Sequence, residues 1–196
     1  MLLHRYLETL LGSKTKIKIL RTLNKHKEKE FTTRELAGYI QISHTGVRKA
    51  LQDLYEMNAV TLKAAGRNHI ITLNQKSHIT NLLAHLFEYE ENTIKELETD
   101  IKLSLCTQPF IDTVKIFGSV ATGQEELRSD IDLLIITNNR EKTEDSLTEL
   151  QILCNNKYGN PITPYILNPE EETHPSNQRL RKEIEEKNIP ICNKNR

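Results

Sequence analysis

Two short motifs hold the residues best suited to chemistry. Gly118-Ser119 stands directly after Thr113 to Phe117, a run whose Val114, Ile116 and Phe117 read as a buried strand. After ten intervening residues, Asp130-Ile131-Asp132 opens a second apolar run, Leu133 to Ile136. Residues two apart in a strand project from one face, so Asp130 and Asp132 present their carboxylates together, as a shared divalent metal requires. A strand that delivers Gly-Ser to a helix N-terminus offers backbone N–H groups and a hydroxyl to phosphate oxygens, and Gly118 removes the side chain that would block their approach. Magnesium held between two carboxylates and those phosphates would neutralise a phosphoryl group and orient an incoming hydroxyl. Phosphoryl or nucleotidyl transfer is the expected chemistry. Asp130 and Asp132 would be its metal ligands and catalytic residues, and Gly118 and Ser119 its phosphate contacts.

This spacing resembles the DNA polymerase beta-like nucleotidyltransferase superfamily and, in its brevity, the minimal nucleotidyltransferase members. The resemblance spans residues 107–196. It continues through a helix from Glu141 to Lys157, a strand Ile162 to Leu167 and a final helix that takes in Ile189-Pro190-Ile191. It implies Mg²⁺ and a nucleoside triphosphate, with ATP the first expectation and the base left open. Two departures bear on activity. Family members commonly carry Arg where Thr122 stands, a lost phosphate contact that Arg128 either replaces or, as a surface charge, does not. They also often carry a third carboxylate on the later strand, whereas Asn160 to Leu167 contains no Asp or Glu and Glu170 to Glu172 follow it. That carboxylate would serve as general base, a contribution on the order of a hundredfold to ten-thousandfold in rate. Mg-nucleotide binding without efficient transfer is therefore as consistent with these residues as transfer itself.

A different pattern fills the amino-terminal part. From Lys14, the residues Ile17, Ile19, Leu20 and Leu23 fall close to helical spacing, with Ser13 as N-cap and a polar exit at Asn24 to Lys27. Arg34 to Ile40 forms a short second helix capped by Thr32 or Thr33, with Leu36, Ala37 and Ile40 inward. After Gln41-Ile42, Ser43 caps a third helix running to about Met57, with Val47, Ala50, Leu51 and Leu54 on one face. Its other face carries His44, Thr45, Arg48, Lys49 and Gln52. A short helix, a tight turn and a helix with a polar, basic outer face is the geometry that enters a major groove, and Thr45 and Arg48 are the first candidates for base edges. Asn58 suits a left-handed cap, and Val60 to Lys63 and His69 to Leu73 around the turn Ala64 to Asn68 predict a hairpin. The order resembles the winged helix-turn-helix family over residues 13–74. That resemblance implies double-stranded DNA as partner and puts Arg67 at the wing tip, near a phosphate or the minor groove.

Between these parts, Ser77 can cap a long stretch in which Ile79, Leu82, Leu83, Leu86, Phe87, Ile94, Leu97, Ile101 and Leu105 recur at helical spacing, ended by Pro109. It reads as one helix or one broken near Tyr89 to Asn92, and as a core helix or the seam of a homodimer. The expected organisation is an α+β protein: a winged helix-turn-helix at 1–78, a helical linker at 79–106 and a small mixed-sheet nucleotidyltransferase-like domain at 107–196.

Charge follows the same division. Residues 1–78 hold 14 Lys and Arg against 6 Asp and Glu, a balance of +8, and the remainder carries −8. A polyanion-binding module joined to an acidic domain has this asymmetry. No apolar run approaches the roughly 20 residues of a membrane span, and His4, Arg5 and Glu8 interrupt the first apolar stretch, so a cytoplasmic location without membrane contact is expected. Cys106, Cys154 and Cys192 are odd in number, far apart and never in a Cys-x-x-Cys pair, which predicts buried or idle thiols rather than a disulfide or zinc site. Two functional readings follow. The first is a DNA-binding transcriptional regulator whose second domain binds Mg-nucleotide. The alternative is a nucleotidyltransferase acting on a protein or small-molecule hydroxyl, with the winged domain recruiting the target.

Overall fold

The computed structural model describes His4 and residues 6–66 and 68–194. Two compact units divide the chain, Met1–Asn92 and Thr93–Arg196. In the first, α1 (Tyr6–Leu11), α2 (Lys14–Lys25), β1 (Phe31–Thr32), α3 (Thr33–Ile40), α4 (His44–Glu56), β2 (Val60–Ala65) and β3 (Asn68–Leu73) follow in order. Helix starts are set by side chains that satisfy free backbone N–H groups. Ser13 accepts from the Lys16 amide, Ser43 from that of Gly46, and Thr32 forms a reciprocal capping box with Glu35. The Glu35 carboxyl lies below its usual range because the Thr32 backbone N–H and hydroxyl both donate to it. Left-handed residues end two helices, Gln41 (φ 55°) after α3 and Asn58 (φ 62°) just beyond α4.

Leu20, Leu23, Leu36, Val47, Leu51 and Leu54 share one core with Phe31, Ile71 and the buried residues Ile79, Leu83 and Phe87. The hairpin is longer than expected. Its register runs from Val60↔Leu73 to Ala65↔Asn68, leaving two positions between the strands, and Gly66 occupies one with φ +61°. Phe31 and Thr32 pair with Ile71 and Ile70, so β1 completes a three-stranded antiparallel sheet in the order β1-β3-β2. Helices α2, α3 and α4 with the β2–β3 hairpin give the winged helix-turn-helix arrangement.

Next, α5 (His78–Ile101) runs unbroken through Tyr89 to Asn92 into a π-helical turn, Lys102–Cys106. Ser77 precedes it, but its hydroxyl is buried without a partner among the described residues. Its carbonyl accepts instead from the Asn81 amide and the Thr80 hydroxyl. The second unit then contains β4 (Ile111–Phe117), α6 (Gly118–Thr122), β5 (Ile131–Thr137), α7 (Arg140–Lys157), β6 (Ile162–Leu167), α8 (Pro169–Thr173), α9 (Gln178–Glu186) and β7 (Ile189–Asn193). Its mixed sheet has the order β6-β5-β4-β7, with β5 and β6 parallel and the other pairs antiparallel.

Alternation in β5 assigns the two faces of this sheet. Ile131, Leu133 and Ile135 join Val114, Ile116, Leu97, Ile101, Leu147 and Leu150 in the main core. Leu134 and Ile136 face the other way and meet Phe117 and Ile184. Asp132 continues that second row at its polar end, and Asp130 stands just before the strand.

Two expectations are corrected here. Ile189-Pro190-Ile191 lies in strand β7 rather than the final helix, which stops at Glu186, because Pro190 cannot donate within a helix but is tolerated on a sheet edge. Cys106 and Cys192 are joined in a disulfide across 86 positions of sequence, so only Cys154 is the buried free thiol expected. Burial pushes the Cys154 thiol up to about 11. Among the described residues no helix is long and apolar enough to cross a membrane.

Candidate functional site

Strand β4 delivers Gly118 to the end of the sheet where β5 and β6 begin, because β4 is antiparallel to β5 and β6 is parallel to it. Phe117 pairs with Asp132, so the turn after β4 lies over the Asp-Ile-Asp segment. Gly118 has φ +72°, and a Cβ there would sit inside contact distance of Asp132 Oδ2. Both facts demand glycine: the left-handed backbone and the carboxylate against it. Helix α6 is only five residues long and has no side-chain cap at its start. Among the described residues the half-buried Ser119 hydroxyl has no partner, while its carbonyl accepts from the Thr122 hydroxyl and the Gln124 amide.

Across the parallel pair, Thr163 stands opposite Asp132, and its hydroxyl donates to Asp130 Oδ2 at 2.9 Å. Residues 160 and 161 clamp the start of β5 from outside. The Asn160 side-chain amide donates to the Ser129 carbonyl at 2.7 Å, and the Ile131 amide donates to the Pro161 carbonyl at 2.8 Å. This clamp escaped the sequence reading because it joins loops about thirty positions apart. The clamping turn is itself anchored, since Tyr158 OH and Lys157 Nζ both donate to Asp100 Oδ2, at 2.7 and 2.8 Å. Burial would raise the Asp100 pKa, but the hydrogen bonds from Lys157 and Tyr158 outweigh it and hold the carboxyl below its ordinary range. Burial, with the Asp100 hydrogen bond, pushes Tyr158 up to about 12.

A cleft of about 930 Å³ lies between segment 125–128 and residues 158–160. Arg128 lines it and is exposed, as is Leu127 at 99%. Among the described residues no three His, Cys, Asp or Glu side chains gather as a metal would need. A metal held by Asp130 and Asp132 would therefore need oxygen ligands from elsewhere. The carboxylates and the half-buried Ser119 hydroxyl fit Mg²⁺ brought with phosphates, in which Asp130 and Asp132 would be the protein ligands, while the space beside Gly118 is taken by Asp132 Oδ2.

On the winged unit, His44, Thr45, Arg48, Lys49 and Gln52 are all exposed on α4. Gln52 is engaged with Glu56, its amide donating at 2.8 Å. Tyr55, missed from sequence, extends this face with half its surface exposed; its i+3 spacing from Gln52 was the available signal. Arg67 lies outside the described residues. Among the described basic residues of this unit, Lys29 lies over the Phe31 ring, and Lys16 and Arg21 are held in ion pairs. Lys16 is buried, paired with Asp53 at 2.7 Å and donating to the Thr9 carbonyl at 3.0 Å. Arg21 makes two contacts to Glu90, at 2.6 and 2.9 Å.

A family model described as polymerase beta, nucleotidyltransferase matches residues 99–196. The chain belongs to this nucleotidyltransferase family. Thr122 stands where the resemblance implies an arginine, and β6, the later strand on which it implies a third carboxylate, contains no Asp or Glu. The α8 carboxylates Glu170 to Glu172 follow β6 rather than stand in it. No curated protein matches the chain. Solved structures similar to it include NolR from Sinorhizobium fredii, with 20% identity over 41% of this chain and 77% of that one, at a TM-score of 0.35. A complex of S. aureus MepR with DNA has 16% identity over 53% and 86% of the respective chains, at a TM-score of 0.38. A toxin-antitoxin structure with AMP-PNP has 16% identity over 49% and 73%, at 0.37.

Proposed function

We propose that the chain is a DNA-binding transcriptional regulator whose nucleotidyltransferase-family domain binds a magnesium nucleoside triphosphate, ATP first among the candidates, with weak or no transfer. The observation that carries this reading is Thr163. A hydroxyl hydrogen-bonded to Asp130 occupies the position facing Asp132, so the site has residues for metal and phosphate but no carboxylate free to take a proton from an acceptor. Bound magnesium would supply charge neutralisation at the phosphates. Asp130 and Asp132 hold it, backbone N–H groups after Gly118 meet the phosphate chain and Ser119 donates to one phosphate oxygen. DNA would meet the exposed face of α4, with Thr45 and Arg48 at base edges and Lys49 at a phosphate.

A specific observation favours the alternative of nucleotidyl transfer to a protein or small-molecule hydroxyl. The cleft of about 930 Å³ borders Asn160, whose side chain holds the residue before Asp130, and it is large enough to admit an acceptor. One experiment separates the readings. The full chain and its Asp130→Asn/Asp132→Asn variant are incubated with labelled nucleoside triphosphates, Mg²⁺ and cell extract. Calorimetry with the same nucleotides and fluorescence anisotropy with duplex DNA at two salt concentrations run alongside. Metal-dependent nucleotide binding and salt-dependent DNA binding without label transfer support the regulator. Label transfer lost in the variant overturns it in favour of the transferase.

A further inference from the structure

The disulfide Cys106–Cys192 joins two parts of the second unit that differ sharply in how firmly they are held. Cys106 ends the π-helical turn after α5, next to Leu105 and close to Ile101, both completely buried in the main core. Cys192 lies in β7, an edge strand with no fully buried residue. Its ladder to β4 is short: Thr113↔Asn193, Val114↔Cys192, Lys115↔Pro190 and Ile116↔Ile189, with a register shift between Val114 and Lys115. Pro190 contributes no N–H to this ladder. The apolar contribution is limited to half-buried Ile189, Ile191 and Cys192 against the core. Past Cys192 the Lys194 amide donates to the Asp112 carbonyl at 2.9 Å and its Nζ to the Gln108 carbonyl, and the disulfide adds a covalent tie that closes a chain segment of 86 positions containing all of β4, β5 and β6.

Both sulfur-bearing residues are half-buried rather than enclosed, so a small thiol or thiolate can reach them. Cys154 is the opposite case, completely buried in the same unit, with burial raising its thiol to about 11. Burial and a raised pKa both make a thiol inert. The three cysteines therefore divide into one inert core thiol and one accessible pair.

We propose that Cys106 and Cys192 form a thiol–disulfide exchange site that governs whether β7 is docked on β4. Its co-reactant class is a low-molecular-weight disulfide, RS–SR. In the closing direction one cysteine thiolate attacks a sulfur of RS–SR, forming a mixed disulfide and releasing one RS⁻. The second thiolate attacks the protein sulfur of that bond and releases the other RS⁻. The two cysteine protons end on the two RSH products, the protein pair loses two electrons, and RS–SR gains them. A low-molecular-weight thiol in excess runs the sequence backwards and frees β7. This site is independent of nucleotide or DNA binding.

The test uses the full chain equilibrated with oxidised glutathione or with dithiothreitol, then labelled natively with a maleimide and weighed intact. Hydrogen exchange is followed in parallel. The oxidised protein should take no label and the reduced protein two, with Cys154 reacting only after denaturation. Amides of 191–193 should exchange about tenfold faster or more after reduction, while those of β5 and β6 stay within about twofold. Cys192→Ser should match the reduced protein in β7 exchange whichever reagent is present. Native labelling of Cys106 and Cys192 in the oxidised sample to the level of the reduced one would overturn the proposal. So would equal β7 exchange in the two redox states.

Discussion

The Thr163 hydroxyl donates to Asp130 Oδ2 at 2.9 Å from the strand position opposite Asp132. A carboxylate there would be placed to accept a proton, and its absence is what limits transfer in the reading above. Thr163→Asp should therefore raise labelled-nucleotide transfer by about tenfold or more over the native chain, within the range a general base supplies. Thr163→Val removes the hydrogen bond without adding a base. It should weaken Mg-nucleotide affinity by about 0.5–1.5 kcal/mol and leave transfer at background. Unchanged transfer in Thr163→Asp, with nucleotide still bound, would show that the missing carboxylate is not the limiting feature.

The glycine turn and the carboxylates should fail in different ways. Asp132→Asn removes a metal ligand at nearly constant volume and Ser119→Ala removes one donor, so each should weaken magnesium-dependent nucleotide binding while DNA affinity and thermal midpoint hold. Gly118→Ala should abolish nucleotide binding and also destabilise the fold by about 1–3 kcal/mol, because its Cβ needs a left-handed backbone and the space of Asp132 Oδ2. Equal calorimetric affinity in native and Asp132→Asn protein with magnesium present would remove the Asp-Ile-Asp segment from the metal site.

How far the sequence could be followed depended on the range of the interactions. Ser13, Thr32 and Ser43 cap backbone amides three residues away, and Asn58 needs only its own φ, so all four were legible. The expectation that Asp130 and Asp132 share a face was also local, resting on strand alternation, but β5 begins at Ile131 and leaves Asp130 just before it. What stayed hidden spans the chain. Phe31 is recruited into a sheet by Ile71, Asn160 grips the carbonyl of Ser129, and Cys192 meets Cys106 across 86 positions of sequence. Ile189-Pro190-Ile191 misled for the same reason: a short apolar run after a helix carries no sign of its strand partner.

On α4, the two basic residues should be distinguishable. Arg48→Ala should cost a specific duplex about 1–3 kcal/mol if the side chain reaches a base edge. Lys49→Ala should weaken all duplexes alike and lower the salt slope by about one. Anisotropy titrations over a salt series against matched and scrambled duplexes measure both. Identical, sequence-independent losses from the two variants would leave no base reader at Arg48.

The Asp100 cluster predicts a two-sided pH dependence for the second unit. Asp100 has a depressed pKa in the fold, so its contribution is present above its unfolded value and lost as pH falls through the folded one. Tyr158 is raised to about 12, so its contribution is complete below its ordinary value near 10 and lost as pH rises from there towards 12. Tyr158→Phe should lower stability at neutral pH by roughly 1 kcal/mol and flatten the alkaline arm, leaving the acid arm mostly in place. Asp100→Asn should flatten the acid arm. Urea unfolding followed across pH checks both, and an alkaline arm unchanged in Tyr158→Phe would assign it to another group.

The last expectation concerns the ion pair between α2 and α4. Lys16 is 6% exposed and reaches Asp53 on α4 and the Thr9 carbonyl of α1, so it ties both helices to α2. Removing one member of a fully buried pair costs about 3–5 kcal/mol, but the Asp53 side chain is 43% exposed and can rehydrate. Lys16→Met keeps most of the stem in the core and should therefore cost only about 1–2 kcal/mol. It also leaves a bare carboxylate on the helix proposed to face DNA, which should weaken duplex binding several-fold at low salt. Asp53→Asn in the Lys16→Met background should restore that affinity, and urea unfolding of the four proteins should give a coupling of about 1 kcal/mol. Strict additivity in stability, with no recovery of DNA binding, would reduce Lys16 to a packing residue and detach it from the helix above.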